Sequence, residues 1–233
     1  MPIPKVIIQT GPSPREEPSC NPWTDINPCY EYKYFDDAAC AEFISKHFGP
    51  RALRAFWALR PGAFKADLFR YAYLFMHGGV YIDLDCVPEA HVSIDDIIGP
   101  GHDLVAALER RGIPGVWQGF LACTPGLPVL LEAVNRICSN VETSWYPSPG
   151  GDVWTGVLSI TGPVLLASAM GARLEPGQQT AGGVRVFLHR VGEDPDCSIL
   201  SEDGTILLRG TSHSHRTTKE RYDALVLARK AYW

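Results

Sequence analysis

The sequence predicts an α/β protein built on a central, mostly parallel sheet. Short apolar runs typical of buried strands alternate with stretches of helical spacing. A Gly78-Gly79 pair separates a strongly amphipathic segment, Ala63 to His77, from the apolar run Val80 to Leu84. Two aspartates, Asp83 and Asp85, close that run at the strand end, where open α/β sheets gather ligands. The 233 residues suit one domain spanning 1–233, and no internal repeat or linker divides them.

The elements follow in order. Lys5 to Gln9 reads as a first buried strand, followed by a Pro- and Ser-rich loop from Gly11 to about Pro28. Tyr30 to Phe35 alternates aromatic and charged residues, as a second strand does. Asp36 or Asp37 is placed to cap a helix over Ala38 to Phe48, and a further helix is expected between Pro50 and Leu59. After the Ala63–His77 helix and the Val80–Leu84 strand, strands are expected at Leu104–Leu108, Trp117–Cys123, Val184–Leu188 and Thr205–Leu208. Helices are expected at Leu127–Cys138, Val153–Ser159, Pro163–Met170 and Lys219–Ala231.

Composition narrows the function classes. There are 21 Lys and Arg against 26 Asp and Glu, a net charge of −5. That balance argues against generic binding to nucleic acid or to an anionic membrane, which needs a basic face. No run of about 18 apolar residues exists, so no integral membrane segment is expected. The first residues show no basic leader or cleavage site, so no signal peptide is expected either. Seven scattered cysteines without a Cys-x-x-Cys pair speak against a disulfide framework or a structural zinc, and reduced thiols in a cytoplasmic compartment fit best.

The acidic pair carries the chemistry. Residues two apart on a strand share a face, so Asp83 and Asp85 would lie roughly 6–7 Å apart, with Tyr81 beside them and Ile82 and Leu84 facing the core. Two adjacent carboxylates repel unless a cation joins them, and an all-oxygen pair favours Mg2+ or Mn2+ over zinc. The bland alternative is two solvated acids at a turn. Asp67 and Arg70 lie three apart on the preceding helix and share one of its faces with Tyr71 and Leu74. Leu68, Phe69, Ala72, Tyr73 and Phe75 surround them, so this ion pair is expected inside the protein, where recognition of a polar ligand would justify it.

The block from Ala63 to Asp85, with its Lys-Ala-Asp-x-x-Arg-Tyr helix, Gly-Gly cap and Tyr81-Ile82-Asp83-Leu84-Asp85 strand, resembles the sugar-binding DxD region of glycosyltransferase family 32. That family includes fungal initiating α-1,6-mannosyltransferases and bacterial capsule enzymes, and the glucosylating domains of large clostridial toxins are similar here. Weaker likenesses lie at Ile3–Gln9, Asn27–Tyr32, Gly119–Pro128, Thr161-Gly162-Pro163 and His213-Ser214-His215. The resemblance implies a GT-A, Rossmann-like fold, a UDP- or GDP-sugar donor, a hydroxyl acceptor such as a glycan, Mn2+ or Mg2+, and retention of anomeric configuration. It implies that Asp67 and Arg70 bond donor-sugar hydroxyls, that Asp83 contacts the ribose and a metal-bound water, and that Asp85 binds the metal. It places His213 or His215 at the metal or diphosphate. It groups Ile8, Gln9, Tyr71, Gly79, Gln118, Thr161, Gly162 and Lys219 with the donor.

Some positions depart from the family pattern. Ile8 stands where a His is frequent, Gln118 stands where an Asn is common, and no Trp follows Gln9, which leaves Trp23 in the next loop as the aromatic available to stack on a base. Trp154 is either a core indole or a platform for an acceptor sugar, and Asp152 is a candidate base or orienter for the acceptor hydroxyl. Two other readings stand beside the transferase. Asp83-Leu84-Asp85-Cys86-Val87 fits a Mg2+-dependent phosphatase with Asp83 as nucleophile, although 82 residues precede it and the Asp67–Arg70 helix has no role there. A non-catalytic domain that binds nucleotide sugars is the third reading.

Overall fold

The computed structural model describes residues 1–14, 21–109, 112–148, 152–171, 174–192, 198–210 and 222–233. β1 (Val6–Thr10) leads to α1 (Pro22–Ile26), β2 (Glu31–Phe35), α2 (Asp37–Ala58) and α3 (Gly62–His77). β3 (Gly79–Ile82), β4 (Cys86–Pro88), α4 (Ile94–Ile98), β5 (Leu104–Leu108) and β6 (Val116–Cys123) follow. Next come α5 (Pro128–Glu142), α6 (Val153–Leu158) and α7 (Pro163–Met170). β7 (Gly177–Ala181), β8 (Val184–Val191), β9 (Ile199–Leu200), β10 (Ile206–Gly210) and α8 (Tyr222–Leu227) complete the described elements.

The strands form one sheet in the order β2-β1-β3-β6-β5-β8-β9-β10-β4, with β7 added on β8. β1 runs parallel to both β2 and β3, and β5 runs parallel to β8. β6 lies antiparallel between β3 and β5, and the β8-β9-β10-β4 arm is antiparallel. The α/β class therefore holds, with the parallel run concentrated where β1, β2 and β3 end together. That shared edge gathers the strand ends Thr10, Phe35 and Ile82, with Thr10 directly beside Phe35, and a cleft opens beyond them.

Strand alternation divides the core. Ile7, Val80 and Ile82 face one layer with Trp23, Ile94 and Ile97, and Ile8 and Tyr81 face the other with Phe56, Leu68 and Leu74. The second layer is closed by α2, α3, α5 and α7. α2 is two helices joined at Gly49 (φ 72°, ψ −169°) and Pro50, which matches the expected break. Asp36 caps its start, accepting from the Ala39 N–H at 2.8 Å.

Several expectations need correction. β3 stops at Ile82, so Asp83, Leu84 and Asp85 occupy a turn closed by the Cys86 N–H on the Asp83 carbonyl at 3.0 Å. Leu84 therefore lines the cleft instead of entering the core. Trp23 is not in an open loop. It sits in α1, 1% exposed, and donates its indole N–H to the Cys86 carbonyl at 2.8 Å, so it cannot stack on a base. In place of a helix running to Ala231, α8 ends at Leu227 and Tyr232 bridges to Leu59. Trp154 is 42% exposed on α6. The short elements α1, β4, α4, β7 and β9 fell below what periodicity can register. The five described cysteines are free thiols.

Gly78 is required twice over. Its φ of 64° with ψ of −161° is not the left-handed helical cap expected from sequence, but it is equally closed to most side chains. A Cβ there would lie 2.7 Å from the Cys123 carbonyl oxygen and 2.8 Å from the Pro125 nitrogen, both backbone atoms. Gly78→Ala is expected to lower unfolding free energy by about 2–4 kcal/mol, from backbone strain plus overpacking. Urea unfolding read by tryptophan fluorescence measures this, and a midpoint equal to wild type would contradict the geometry.

Candidate active site

α3 carries the site's charged core because it is packed on nearly every side. Asp67 and Arg70 are 6% and 4% exposed, among Leu68, Phe69, Tyr71 and Leu74. Arg70 Nη2 lies 3.2 Å from Asp67 Oδ1, and Arg70 Nη1 lies 3.3 Å from Asp83 Oδ1. Nη1 also donates to the Gln118 carbonyl, Nε donates to the Ala66 carbonyl at 3.3 Å, and the guanidinium sits 4.3 Å from the Tyr81 ring centroid. Burial works against the charge on Arg70, but Tyr81, Asp83 and Asp67 outweigh it and hold the guanidinium firmly protonated.

Each partner of Arg70 is itself held. The Thr161 hydroxyl donates to Asp67 Oδ2 at 2.6 Å. The Tyr71 hydroxyl donates to the Thr161 carbonyl at 3.1 Å and receives the Gln118 side-chain amide. The buried Gln118 Oε1 has no hydrogen-bond partner among the described residues. Tyr81 donates to Asp83 Oδ1 at 2.9 Å, and its hydroxyl meets Thr10 Oγ1 at 3.1 Å. Burial pushes both Tyr71 and Tyr81 well above the ordinary phenol range, so both remain neutral. The Asp83 main chain is pinned from two sides: its N–H donates to the Gly119 carbonyl at 2.9 Å, and its carbonyl accepts from Gln9 Nε2 at 3.2 Å. Tyr32 in turn donates to Gln9 Oε1 at 3.0 Å.

This network backs a cleft of about 370 Å³, a volume in the range of small-ligand sites. Thr10, Gly11 and Pro12 line it from the end of β1, and Arg70, Tyr81, Asp83, Leu84 and Asp85 line its floor and turn. Asp37, Arg60 and Lys65 form a further wall. The sequence reading did not include these three in the site; the Lys65-Ala66-Asp67 run was the available signal for one of them.

Not every expected residue reaches the cleft. Ile8 is fully buried beneath β1. Gly79 (φ 108°) packs against β1, and a Cβ there would lie 3.0 Å from both Ile8 Cδ1 and the Val6 carbonyl oxygen. Gln9, Tyr71, Gln118, Thr161 and Gly162 stand behind the cleft, holding Asp83 and Asp67. Asp152 caps α6, accepting from the Thr155 N–H at 2.6 Å, and lines a separate cavity with Tyr146, Val157 and Arg229. His213, His215 and Lys219 lie outside the described residues. Among the described residues, no group of three or more His, Cys, Asp or Glu side chains is set to hold a metal.

A mixed α/β sheet with an acidic turn at the carboxyl end of its parallel run is a GT-A-like arrangement. The glycosyltransferase described as PaToxG superposes with a TM-score of 0.50 over 72% of this chain and 68% of its own, at 15% identity, a likeness of fold. Residues 13–104 match the family model described as "Glycosyltransferase sugar-binding region containing DXD motif". Inositol phosphoceramide mannosyltransferase 3 of Schizosaccharomyces pombe is 27% identical over 71% of this chain and 44% of its own length. The initiation-specific α-1,6-mannosyltransferase of the same yeast is 28% identical over 72% of this chain and 48% of its own. The chain thus spans less than half the length of these two relatives. Among the described residues, no helix is long and apolar enough to cross a membrane.

Burial raises the Asp67 carboxyl to about 6, against the opposing pull of Arg70 and Thr161. A carboxyl raised on folding contributes stability that is complete below its unfolded value and is lost as pH climbs through its folded value. The contribution of Asp67 should therefore fall between about pH 4 and 6, by on the order of 2 kcal/mol. Asp67→Asn removes this titration. Urea midpoints at pH 4, 5 and 6.5 should show wild type losing ground to the variant as pH rises, and parallel curves would contradict it.

Proposed function

We propose that the protein is a retaining, metal-dependent hexosyltransferase that moves a sugar from a UDP- or GDP-sugar to a hydroxyl acceptor, in glycan or polysaccharide synthesis. One observation carries the reading: a buried arginine ties the helix carboxylate Asp67 to the turn carboxylate Asp83 at the mouth of a cleft that Asp85 shares. A structural ion pair alone does not account for Asp85, a third acidic group lining the same cleft. The names of the two yeast relatives, both mannosyltransferases, favour mannose as the hexose.

The residues fit a hard divalent cation. The pair is all-oxygen, and the Asp83 side chain is 35% exposed. Asp83 Oδ1 already accepts from Tyr81 and faces Arg70, which suits an orienting or water-mediated role for Asp83 and leaves direct ligation to Asp85. His213 or His215 would add a further ligand in this reading. When bound, Mn2+ or Mg2+ supplies Lewis-acid screening of the departing diphosphate, which a net-acidic protein needs.

The chain's own groups do the rest. Asp67 accepts from and Arg70 donates to sugar hydroxyls, with Thr161 holding Asp67 and Tyr81 holding Asp83 so that neither carboxylate reorganises on binding. Gln118 braces them from behind the cleft, donating its side-chain amide to the Tyr71 hydroxyl. Asp152 would serve the acceptor hydroxyl only if the acceptor bridges its cavity and the cleft. The reading also includes a cytoplasmic setting and an absence of nucleic-acid partners, supported by the scattered cysteines and the net charge of −5.

Hydrolysis of UDP- and GDP-sugars with Mn2+ tests the assignment against the phosphatase alternative, for which an aryl phosphate with Mg2+ is the matching substrate. Donor hydrolysis is expected from the wild type, to be lost on chelation and to fall by at least about 100-fold in Asp85→Asn. Wild-type rates in that variant would refute the metal role. Asp67→Ala should weaken nucleotide-sugar binding while leaving free nucleotide binding within about threefold, and equal loss for both would contradict its place at the sugar.

A further inference from the structure

The α2–α3 side of the cleft is built differently from its turn. Asp37, in the first turn of α2, and Lys65, in the first turn of α3, both line it. Lys65 Nζ donates to Asp37 Oδ2 at 2.9 Å, and the two side chains are 15% and 30% exposed. The same ammonium lies 4.9 Å from the ring centroid of Trp57, an α2 residue that is 48% exposed. A second exposed indole, Trp233, is seated on the same α2–α3 link: its N–H donates to the Ala58 carbonyl at 2.9 Å, and its ring centroid lies 4.2 Å from the Arg60 guanidinium. Both indoles thus stand one side chain away from the cleft lining.

An ammonium in contact with a carboxylate is an electroneutral pair, and it offers a phosphate no net charge. It does retain hydrogen-bonding capacity. An ammonium has three donors and a carboxylate several acceptor positions, so one mutual bond leaves both able to bond further. Neighbouring hydroxyls on a sugar ring match that pair: one donates to the carboxylate while the next accepts from the ammonium. The exposed indole beside the pair suits the C–H face of the same ring. In the transferase reading, on which this inference rests, the donor brings the diphosphate, and its sugar faces Asp67 and Arg70. The uncharged polyhydroxyl reactant that remains is the acceptor.

We propose that Asp37, Lys65 and Trp57 form the acceptor subsite, and that the acceptor group they hold is an uncharged pyranoside. Two neighbouring ring hydroxyls bridge the Lys65–Asp37 pair, and a C–H face of the ring lies along the exposed part of the Trp57 indole. The acceptor then enters the cleft without reaching the Asp152 cavity.

Saturation-transfer NMR titrations of methyl α-mannoside, methyl α-glucoside and methyl α-galactoside test this on the full chain, alone and with saturating Mn2+ plus UDP or GDP. At least one glycoside should bind, equally well with nucleotide present, and its ring C–H protons should saturate most strongly. Asp37→Asn and Trp57→Ala should each weaken that binding at least about fivefold, and Trp57→Phe should keep it within about threefold. Asp37→Asn leaves Lys65 an acceptor and Trp57 is an exposed side chain, so these variants spare the core. Methyl α-mannoside 6-phosphate should bind no more than about threefold more tightly than the neutral mannoside, and a larger preference would overturn the electroneutral site. No binding of any of the three glycosides, or unchanged affinity in either Asp37→Asn or Trp57→Ala, overturns the proposal. Displacement of the glycoside by UDP or GDP also overturns it, since this wall would then belong to the donor. Glycoside binding of the expected kind without Mn2+-dependent nucleotide binding would leave the sugar site standing and strike at the transferase reading itself.

Discussion

The site depends on one buried guanidinium. Arg70 is 4% exposed and faces two carboxylates, a backbone carbonyl and an aromatic ring. An arginine so placed is costly unless nearly every donor is matched, and removing one partner would leave an uncompensated charge in the core. The matching therefore fixes geometry: Asp67 on α3, Asp83 on the turn after β3 and Gln118 on the more distant β6 are drawn to one point.

That convergence explains the surrounding rigidity. Thr161 and Gly162 at the start of α7 close over Asp67, and Tyr71 reaches the same backbone, so α7 is fastened to α3 by polar groups as well as by apolar packing. On the other side, Gln9 and Tyr32 brace the Asp83 backbone from β1 and β2. A ligand entering the cleft meets carboxylates and hydroxyls that are already oriented, and its binding energy is not spent on ordering them.

The cleft has two chemically distinct sides. Its turn side carries Asp83 and Asp85. Its α2–α3 wall pairs Lys65 with Asp37 beside the exposed Trp57 indole.

Much of this was legible in the chain itself. Periodicity and end signals fixed α3, the break at Gly49-Pro50, the Asp36 cap, β5, β6 and α7, because these are local consequences of side-chain spacing and backbone sterics. The Asp67–Arg70 pairing followed from helical geometry, and its burial from the apolar residues around it. Only the tertiary structure decided what depends on non-local contacts. The antiparallel insertion of β6 brings Gln118 and Gly119 to the turn, and that turn ends β3 at Ile82 and lifts Leu84 out of the core. The Cys86 carbonyl buries Trp23. The pairing of Tyr232 with Leu59 carries Trp233 to Arg60. No spacing rule encodes such meetings, because each depends on where two separately specified segments are brought together by packing.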